Sequence, residues 1–272
     1  MGRQTNGTVT ISDVPHNIST KVNFTKGNTR YYAPDSQLSA WSTNRPSTHS
    51  EPSSAHRCEI SVLEMTTLQG GEWLRHELSN SSSGSGKIGL LNFGDATSPG
   101  EGFLIGLPTQ EESIARSSML YPSLMTDTAQ QFYNLHRRDK KGGSYHHAFV
   151  YTPAALVLRN DAGDWIAPHD ADIVTSAAVN AGSVRRRNGR RVSRLQERMA
   201  RILFLFEQHE CGNVVLGSFG TGVFRNKVDM VARLWRELLV GDAARFNASF
   251  DRLVFGIVGK ETLMTFKDMF TQ

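Results

Sequence analysis

Two short, continuous apolar runs most constrain what this chain can fold into. Residues 88–91 read Ile-Gly-Leu-Leu and residues 214–216 read Val-Val-Leu, without the polar alternation of a half-exposed strand. Such runs are typical of strands covered by helices on both faces. Segments with helical periodicity alternate with them, as in the stripe over 195–206 and the helix that opens after a predicted cap at Asn226. The sequence therefore predicts a layered α/β domain with ligands at the carboxyl ends of its strands.

The same patterns predict the individual elements. We expect strands at residues 59–63, 87–93, 148–151, 156–159, 172–176, 213–217 and 252–257. We expect helices at residues 110–119, 123–135, 195–208, 228–238 and 260–270.

The first 55 residues differ in composition from the rest. They are rich in Ser, Thr, Asn and Pro, and too poor in apolar residues to offset the entropy lost on ordering. We therefore predict a polar, largely disordered arm at 1–55 and one domain at 56–272. The apolar residues Tyr31, Tyr32, Leu38 and Trp41 leave open an arm that lies over the domain.

Composition excludes several classes of protein. No run approaches the roughly 20 apolar residues of a membrane span, and the polar start lacks the apolar core of a secretion signal. Cys58 and Cys211 are too few for a disulfide framework. The histidines show no metal-binding spacing. We expect an intracellular protein, cytoplasmic or nuclear, that needs neither a metal nor a cofactor and does not bind membranes.

Two glycine-containing loops stand where an α/β domain places its ligand. Residues 99–102 (Pro-Gly-Glu-Gly) and 217–224 (Gly-Ser-Phe-Gly-Thr-Gly-Val-Phe) each lie between a predicted strand and a predicted helix. Glycine allows backbone N–H groups to turn toward an anion, and the helix start adds partial positive charge. Tight strand-to-helix turns have the same composition, so this alternative remains open.

Neither of two well-known phosphate motifs is present. Residues 84–87 resemble the end of a P-loop, but Ser81 stands where the first glycine is required and Ile88 where Ser or Thr follows. The glycines of the 217–224 loop have the reverse spacing of the dinucleotide fingerprint.

Adjacent carboxylates at Glu111 and Glu112 open the helix predicted at 110–119. Neighbouring side chains on a helix diverge by about 100°, so this pair does not flank a sugar as glycosidase carboxyls do, and at most one is the acid. Thr109 and Glu112 also match a capping box, which is the structural alternative. A helix start lowers a carboxyl pKa, whereas burial or a nearby diphosphate charge raises it.

Ordered motifs across residues 58–257 resemble the microbial-type poly(ADP-ribose) glycohydrolases, and residues 249–255 resemble fungal members in particular. The motifs are Leu-Asn-Phe at 91–93, Pro-Gly-x-Gly-Phe-Leu at 99–104, the segment 110–122 from Gln-Glu-Glu-Ser to Leu-Tyr-Pro, 172–182, and 217–226. This resemblance implies a three-layer α/β/α macrodomain-like fold with a central mixed sheet. It also implies hydrolysis of the ribose–ribose O-glycosidic bond of poly(ADP-ribose), which releases ADP-ribose.

The resemblance also implies roles for residues. Glu112 maps to the general acid/base and Glu111 to a residue that holds ribose hydroxyls. The implied ligand-binding residues are Asn92, Gly100, Gly102, Gln110, Ser218, Phe219, Gly220, Thr221, Gly222, Val223 and Phe224. The partners are poly(ADP-ribose) or ADP-ribosylated proteins. The alternative is a weakly active or non-catalytic macrodomain that reads ADP-ribose.

Several positions depart from the family pattern. Glu101 replaces a glycine, Asp95 a small or amide residue, Thr66 a frequent adenine-contacting aspartate, and Leu107 an alanine. A carboxylate about 5 Å from a ligand phosphate costs on the order of 1 to 3 kcal/mol. Whether Glu101 and Asp95 face the ligand or solvent therefore bears on activity.

A basic run follows residue 184. It consists of Arg185, Arg186, Arg187, Arg190 and Arg191. Three interpretations remain: contact with polyanionic poly(ADP-ribose), binding of nucleic acid or nuclear import, and a solvated loop before a helix.

Overall fold

The computed structural model describes residues 4–5, 7–11, 13–44, 58–80, 86–100, 102–183 and 188–271. The strands are β1 (Gln4–Thr5), β2 (Thr8–Ile11), β3 (Val14–Asn17), β4 (Arg30–Tyr32), β5 (Glu59–Glu64), β6 (Ile88–Phe93), β7 (Phe149–Arg159), β8 (Trp165–Ser176), β9 (Asn213–Leu216) and β10 (Arg252–Ile257). The helices are α1 (Ser19–Asn28), α2 (Thr67–Asn80), α3 (Gln110–Ser117), α4 (Leu120–Leu124), α5 (Asp127–Arg138), α6 (Asn188–Gln208), α7 (Val228–Leu239) and α8 (Lys260–Thr271). Short 3₁₀ turns span Gln37–Ala40, Phe103–Ile105 and Lys141–Gly143.

A seven-stranded mixed sheet in the order β4-β7-β8-β6-β9-β10-β5 forms the centre. The five strands from β8 to β5 are parallel, and β7 pairs antiparallel with both β4 and β8. One face packs on α6, α7 and α8, and the other on α2 to α5. The predicted three-layer α/β/α fold with a central mixed sheet is confirmed.

The apolar runs form central strands because both of their faces are covered. In β9, Val214 and Leu216 belong to the cluster on the α6 side, whereas Val215 belongs to the cluster on the α2 side. In β6, Leu90 and Leu91 divide between the same two clusters. Side chains alternate across a strand, so a strand buried on both faces carries no polar alternation.

The N-terminal segment corrects the prediction of a disordered arm at 1–55. Within the described residues, β4 joins the edge of the main sheet through β7. Strands β2 and β3 form a small hairpin sheet, in which Val9 and Ile11 pack against Leu156 and Leu158. Residues 45–55 of the predicted arm lie outside the described residues. The prediction was wrong over the described residues 7–11 and 13–44, because a few apolar side chains, each buried by residues distant in sequence, anchor the segment.

Helix α2 was missed, although the sequence carries a start signal for it. The Thr66 hydroxyl accepts a hydrogen bond from Gln69 N at 3.1 Å, and Gln69 Oε1 accepts one from Thr66 N at 2.9 Å. This reciprocal pair is a capping box. The predicted helix at 123–135 is instead two helices, with the Thr126 hydroxyl capping the second.

Among the helices described, none combines the length and apolar character needed to cross a bilayer.

Candidate functional site

A cleft of about 770 Å³ opens at the carboxyl ends of β5, β6, β9 and β10. Of the predicted site residues, Gly102, Gln110, Glu111, Glu112 and the whole segment 218–224 line it. Asn92 is fully buried beneath Glu111, and Gly100 packs against Phe103 and Tyr121. The fold therefore brings the first helical turn of α3 and the second glycine loop to one cleft.

Glu112 faces this cleft from the first turn of α3 and is only 5% exposed. Its Oε1 accepts a hydrogen bond from the backbone N–H of Gly102 at 3.0 Å. Its buried Oε2 has no hydrogen-bond partner in the part of the chain that the structure describes. Thr109 is the N-cap residue of α3, but its side chain makes no capping bond, so the capping-box alternative is wrong. One oxygen therefore orients the carboxyl group, and the other makes no hydrogen bond to the described residues.

Glu111 lies deeper than Glu112 and is held on both oxygens. Asn92 Nδ2 donates to its Oε1 at 3.1 Å, and Asp95 N donates to its Oε2 at 2.9 Å. The pKa of Glu111 is raised to about 8, chiefly by burial and also by the charges of Glu112 and Asp95, while these hydrogen bonds act to lower it. The protonated form of Glu111 therefore prevails at neutral pH.

Gln110 joins the start of α3 to the end of β6. Its Oε1 accepts from Phe93 N at 2.8 Å, while its Nε2 donates to Leu91 O at 2.6 Å and to the Thr67 hydroxyl at 2.9 Å. Each polar atom of this amide is satisfied, which fixes the two following glutamates relative to the sheet.

Asp95 lines the cleft but turns one carboxylate oxygen into its own turn. Its Oδ1 accepts hydrogen bonds from Thr97 N at 2.6 Å, Thr97 Oγ1 at 2.9 Å and Ser98 N at 2.8 Å. Arg137 donates to Thr97 O at 2.6 Å and closes the turn from outside. The donors to Oδ1 offset the negative charge that Asp95 introduces where the family pattern has a small or amide residue. Glu101, the other acidic departure, lies outside the described residues.

The second glycine loop is held by Asn226. Its Nδ2 donates to Val179 O at 2.7 Å and to Gly220 O at 2.9 Å. The prediction that Asn226 caps the next helix is wrong, because the N-cap of α7 is Lys227. Gly220 has φ +74°, and a Cβ there would lie 2.4 Å from the Cβ of Ala178. The loop therefore needs glycine at this position and an amide at 226.

Aromatic residues of this loop have different surroundings. Phe219 is fully buried and packs on Phe93, with ring centroids 5.6 Å apart. Phe224 is half-buried, and its ring lies 5.9 Å from that of Tyr145. Phe224 is therefore the ring better placed to meet a ligand, while Phe219 supports the loop from below.

The cleft is acidic in its side chains and positive only in its backbone. Its described lining includes Asp95, Glu111, Glu112 and Asp161, and none of the described lining residues is Lys, Arg or His. An anion held here would rely on the N–H groups of the glycine loop and on the nearby N-terminus of α7. Sequence analysis missed Asp161 and the strand-end residues Gly256 and Val258, because only tertiary contacts bring them to the cleft.

Only part of the basic run is described by the structure. Arg185, Arg186 and Arg187 are outside the described residues, and Arg190 and Arg191 belong to α6 without lining the cleft. Among the described residues, no group of three His, Cys, Asp or Glu side chains is placed to hold a metal ion.

Comparisons with known proteins agree with this geometry. Residues 4–160 match the catalytic domain of microbial-type poly(ADP-ribose) glycohydrolase (PARG). The crystal structure of the glycohydrolase from Thermomonospora curvata is similar at a TM-score of 0.86 and 30% identity, covering 97% of this chain and 93% of that one. The Deinococcus radiodurans glycohydrolase in complex with ADP-ribose is similar at a TM-score of 0.76 and 29% identity, covering 92% and 96%. The structure of the T. curvata enzyme bound to the inhibitor ADP-HPD is similar at a TM-score of 0.83 and 30% identity, covering 96% of this chain and 93% of that one. A search of curated proteins gives no match.

Proposed function

We propose that Glu112 is the general acid/base of this chain, which belongs to the microbial-type poly(ADP-ribose) glycohydrolase family and hydrolyses the ribose–ribose O-glycosidic bond of poly(ADP-ribose) to release ADP-ribose. One observation carries the assignment. Glu112 has one oxygen fixed by Gly102 N and the other without a partner among the described residues, and it shares its cleft with the glycine loop at 218–223.

The chemistry follows from this arrangement. Protonated Glu112 donates its proton to the leaving ribose oxygen as the C–O bond breaks, and the resulting carboxylate then takes a proton from the attacking water. Negative charge nearby favours the protonated form of a carboxyl group, and a bound diphosphate supplies such charge. The same diphosphate offsets positive charge at the oxocarbenium-like centre.

The remaining predicted residues bind and orient the ligand in this proposal. Glu111, protonated and braced by Asn92, donates a hydrogen bond to a ribose hydroxyl, and Gln110 holds both glutamates in place. Gly100 and Gly102 shape the loop that orients Glu112. The backbone N–H groups of Ser218, Gly220, Gly222 and Val223 hold the diphosphate, and Phe224 packs on the terminal ribose. The N–H groups of Phe219 and Thr221 instead donate to Gly217 O and Ser218 O and hold the loop in shape.

The experiment is incubation of the protein with poly(ADP-ribose), followed by chromatography of the products. We expect wild-type protein to release ADP-ribose, and Glu112→Gln to lower the rate roughly 10²- to 10⁴-fold with ADP-ribose binding retained. Glu261→Gln, which removes an exposed carboxylate at the start of α8, is the matched control. Equal rates for Glu112→Gln and wild type would refute the role of Glu112. If the wild-type protein binds ADP-ribose in calorimetry but does not hydrolyse the polymer, the alternative is supported, a non-catalytic macrodomain that binds ADP-ribose.

Of three narrower predictions, one is not supported and two remain proposals. The structures compared above are bacterial, so they do not support the closer similarity to fungal members predicted from residues 249–255. We keep an intracellular location, which fractionation of cells that express the protein would test. We also keep a contact between the basic run and the polymer. Charge reversal at Arg190 and Arg191 would weaken polymer binding but not ADP-ribose binding.

A further inference from the structure

A short loop beside Glu112 presents apolar side chains to solvent. It is defined here as residues 102–107 and lies between β6 and α3. Ile105 is 78% exposed and Leu107 is 43% exposed, although both side chains are large and apolar. Leu107 also lines the cleft. Two exposed apolar side chains on one loop at the mouth of a cleft indicate a surface that meets a ligand.

The loop has a defined conformation without a ligand. Gly102 O accepts hydrogen bonds from Ile105 N at 3.2 Å and from Leu107 N at 3.1 Å, which closes the loop on itself. Arg116 Nη1 donates to Leu107 O at 2.8 Å and ties the end of the loop to α3. The exposure of Ile105 and Leu107 therefore follows from a backbone that is held in place.

Leu107 stands next to the donor that orients Glu112. Gly102 N donates to Glu112 Oε1 at 3.0 Å. A Cβ added at Gly102 would lie 2.4 Å from Leu107 Cδ1, so the leucine side chain packs directly over this glycine. The apolar surface of the loop thus begins one residue away from the carboxyl group.

The reaction assigns an occupant to this surface. The bond that is cut joins two units of the polymer, and the glycine loop at 218–223 takes the diphosphate of the unit that is released. Beneath Glu112, the buried side chains of Glu111 and Asn92 leave no room for the other unit. The leaving unit therefore extends outward, over the loop at 102–107. This placement rests on the proposed function.

The chemistry of the leaving unit fits an apolar surface. In poly(ADP-ribose), the leaving oxygen belongs to the ribose that carries the adenine of the next unit, so this base follows Glu112 within one sugar. Packing of the base face against aliphatic side chains removes apolar surface from water on both partners. Leu107 stands where the family pattern has alanine, so this chain offers the base a larger surface.

We propose that Ile105 and Leu107 form a subsite for the leaving unit, in which both side chains pack against the adenine next to the scissile bond. The subsite makes affinity depend on the presence of a second unit. The chain therefore binds the polymer more tightly than the free ADP-ribose that it releases, and release of the product does not compete with binding of the next chain end.

The test is calorimetric binding of two ligands to the full chain carrying Glu112→Gln: ADP-ribose, and a dimer of ADP-ribose joined by the ribose–ribose bond. We expect the dimer to bind roughly tenfold more tightly, as burial of about 50 Å² of apolar surface gives. Addition of Ile105→Ser and Leu107→Ala removes this advantage and leaves the dissociation constant of ADP-ribose unchanged. Leu107→Met retains an apolar side chain and therefore retains the advantage of the dimer.

Val14→Ser is the matched control, since Val14 is 53% exposed on β3 and does not line the cleft. We expect it to keep the parent ratio of the two dissociation constants. Ile105 and Leu107 are both exposed, so thermal unfolding of the double variant is expected to match that of its parent.

Equal affinities of the parent for the dimer and for ADP-ribose would overturn the proposal, as would an advantage of the dimer that persists in the double variant. Equal weakening of both ligands would also overturn it, because it would indicate a distorted cleft. Failure of the wild-type chain to hydrolyse poly(ADP-ribose) would refute the proposed function, whereas the ratio of dissociation constants would still report on the subsite. The two failures are therefore distinguishable.

Discussion

Asn92 and Glu111 form a buried pair in which Asn92 Nδ2 donates a 3.1 Å hydrogen bond to Glu111 Oε1, at the point where β6 meets α3. A carboxyl group at a helix start ordinarily has a lowered pKa. Here burial outweighs the helix, and the pKa of Glu111 rises to about 8. The deeper glutamate is therefore a neutral hydrogen-bond donor, and the acid role falls to its neighbour.

The raised pKa of Glu111 predicts a pH-dependent effect of Glu111→Gln on stability. The folded chain retains the proton up to about pH 8, whereas the unfolded chain loses it near 4.5. The stability that protonation contributes is present below about pH 4.5 and is lost as the pH rises through 8. Glutamine is neutral throughout, so relative to wild type the variant gains stability with rising pH, on the order of a few kcal/mol by pH 9. Urea unfolding of both proteins at pH 5 and pH 9 measures it, and a constant difference would contradict the burial effect.

Two glycines of the binding loop predict separable effects. Gly220→Ala forces an alanine to φ +74° and against Ala178, so we expect a loss of about 1 to 3 kcal/mol in stability together with weaker ADP-ribose binding. A Cβ at Gly222 meets nothing within 4 Å, so Gly222→Ala leaves the unfolding transition unchanged. Its ADP-ribose affinity falls if the diphosphate approaches the backbone there. Wild-type affinity in Gly222→Ala would place the diphosphate elsewhere.

Replacement of Asn226 is expected to weaken the attachment of the second glycine loop to the rest of the domain. Asn226→Ala removes the side-chain hydrogen bonds to Val179 O and Gly220 O. Gly220 O keeps the backbone N–H of residue 226 as a donor at 3.1 Å, so the cost of about 1 to 3 kcal/mol comes chiefly from Val179 O. We expect a higher KM for poly(ADP-ribose) and a lower unfolding temperature. Asn247→Ala, which removes one amide contact to Gly241 O far from the cleft, serves as the comparison. Equal KM changes in the two variants would argue against a specific role for Asn226.

Arg245 attaches residues 41–44 to the domain, so we predict that its replacement lowers the free energy of unfolding strongly. Its guanidinium pairs with both oxygens of buried Glu207, at 3.0 and 2.8 Å, and donates to Trp41 O and Asn44 O. Arg245→Met leaves the glutamate unpaired, so we expect the free energy of unfolding to fall by about 3 to 5 kcal/mol. Addition of Glu207→Gln to this variant restores part of the loss. A change below 1 kcal/mol would mean that the N-terminal segment is not anchored there.

Patterns along the sequence were enough to predict most strands of the central sheet and the glutamate and glycine motifs that line the cleft. Buried strands such as β6 and β9 are read from their apolar runs because burial on both faces is a property of the strand itself. Glu111, Glu112 and the 218–224 loop were found because motif order and spacing are recorded along the chain. The sequence also carries the capping box that begins α2, at Thr66 and Gln69, but the apolar stripe of this helix is too weak to have predicted it.

Only the tertiary structure decided which site residues contact one another and how those contacts change their charge and hydrogen bonding. The pKa of Glu111, the hydrogen bond from Gly102 N to Glu112 and the loop contacts of Asn226 depend on neighbours that no local pattern specifies. The same holds for Asp161, which reaches Thr66 through a hairpin held by the N-terminal segment. The sequence alone determined the layers and the acidic and glycine-rich motifs, because backbone propensity and apolar patterning are local. Charge, desolvation and cleft composition depend on distance in space, and they were decided when the chain folded.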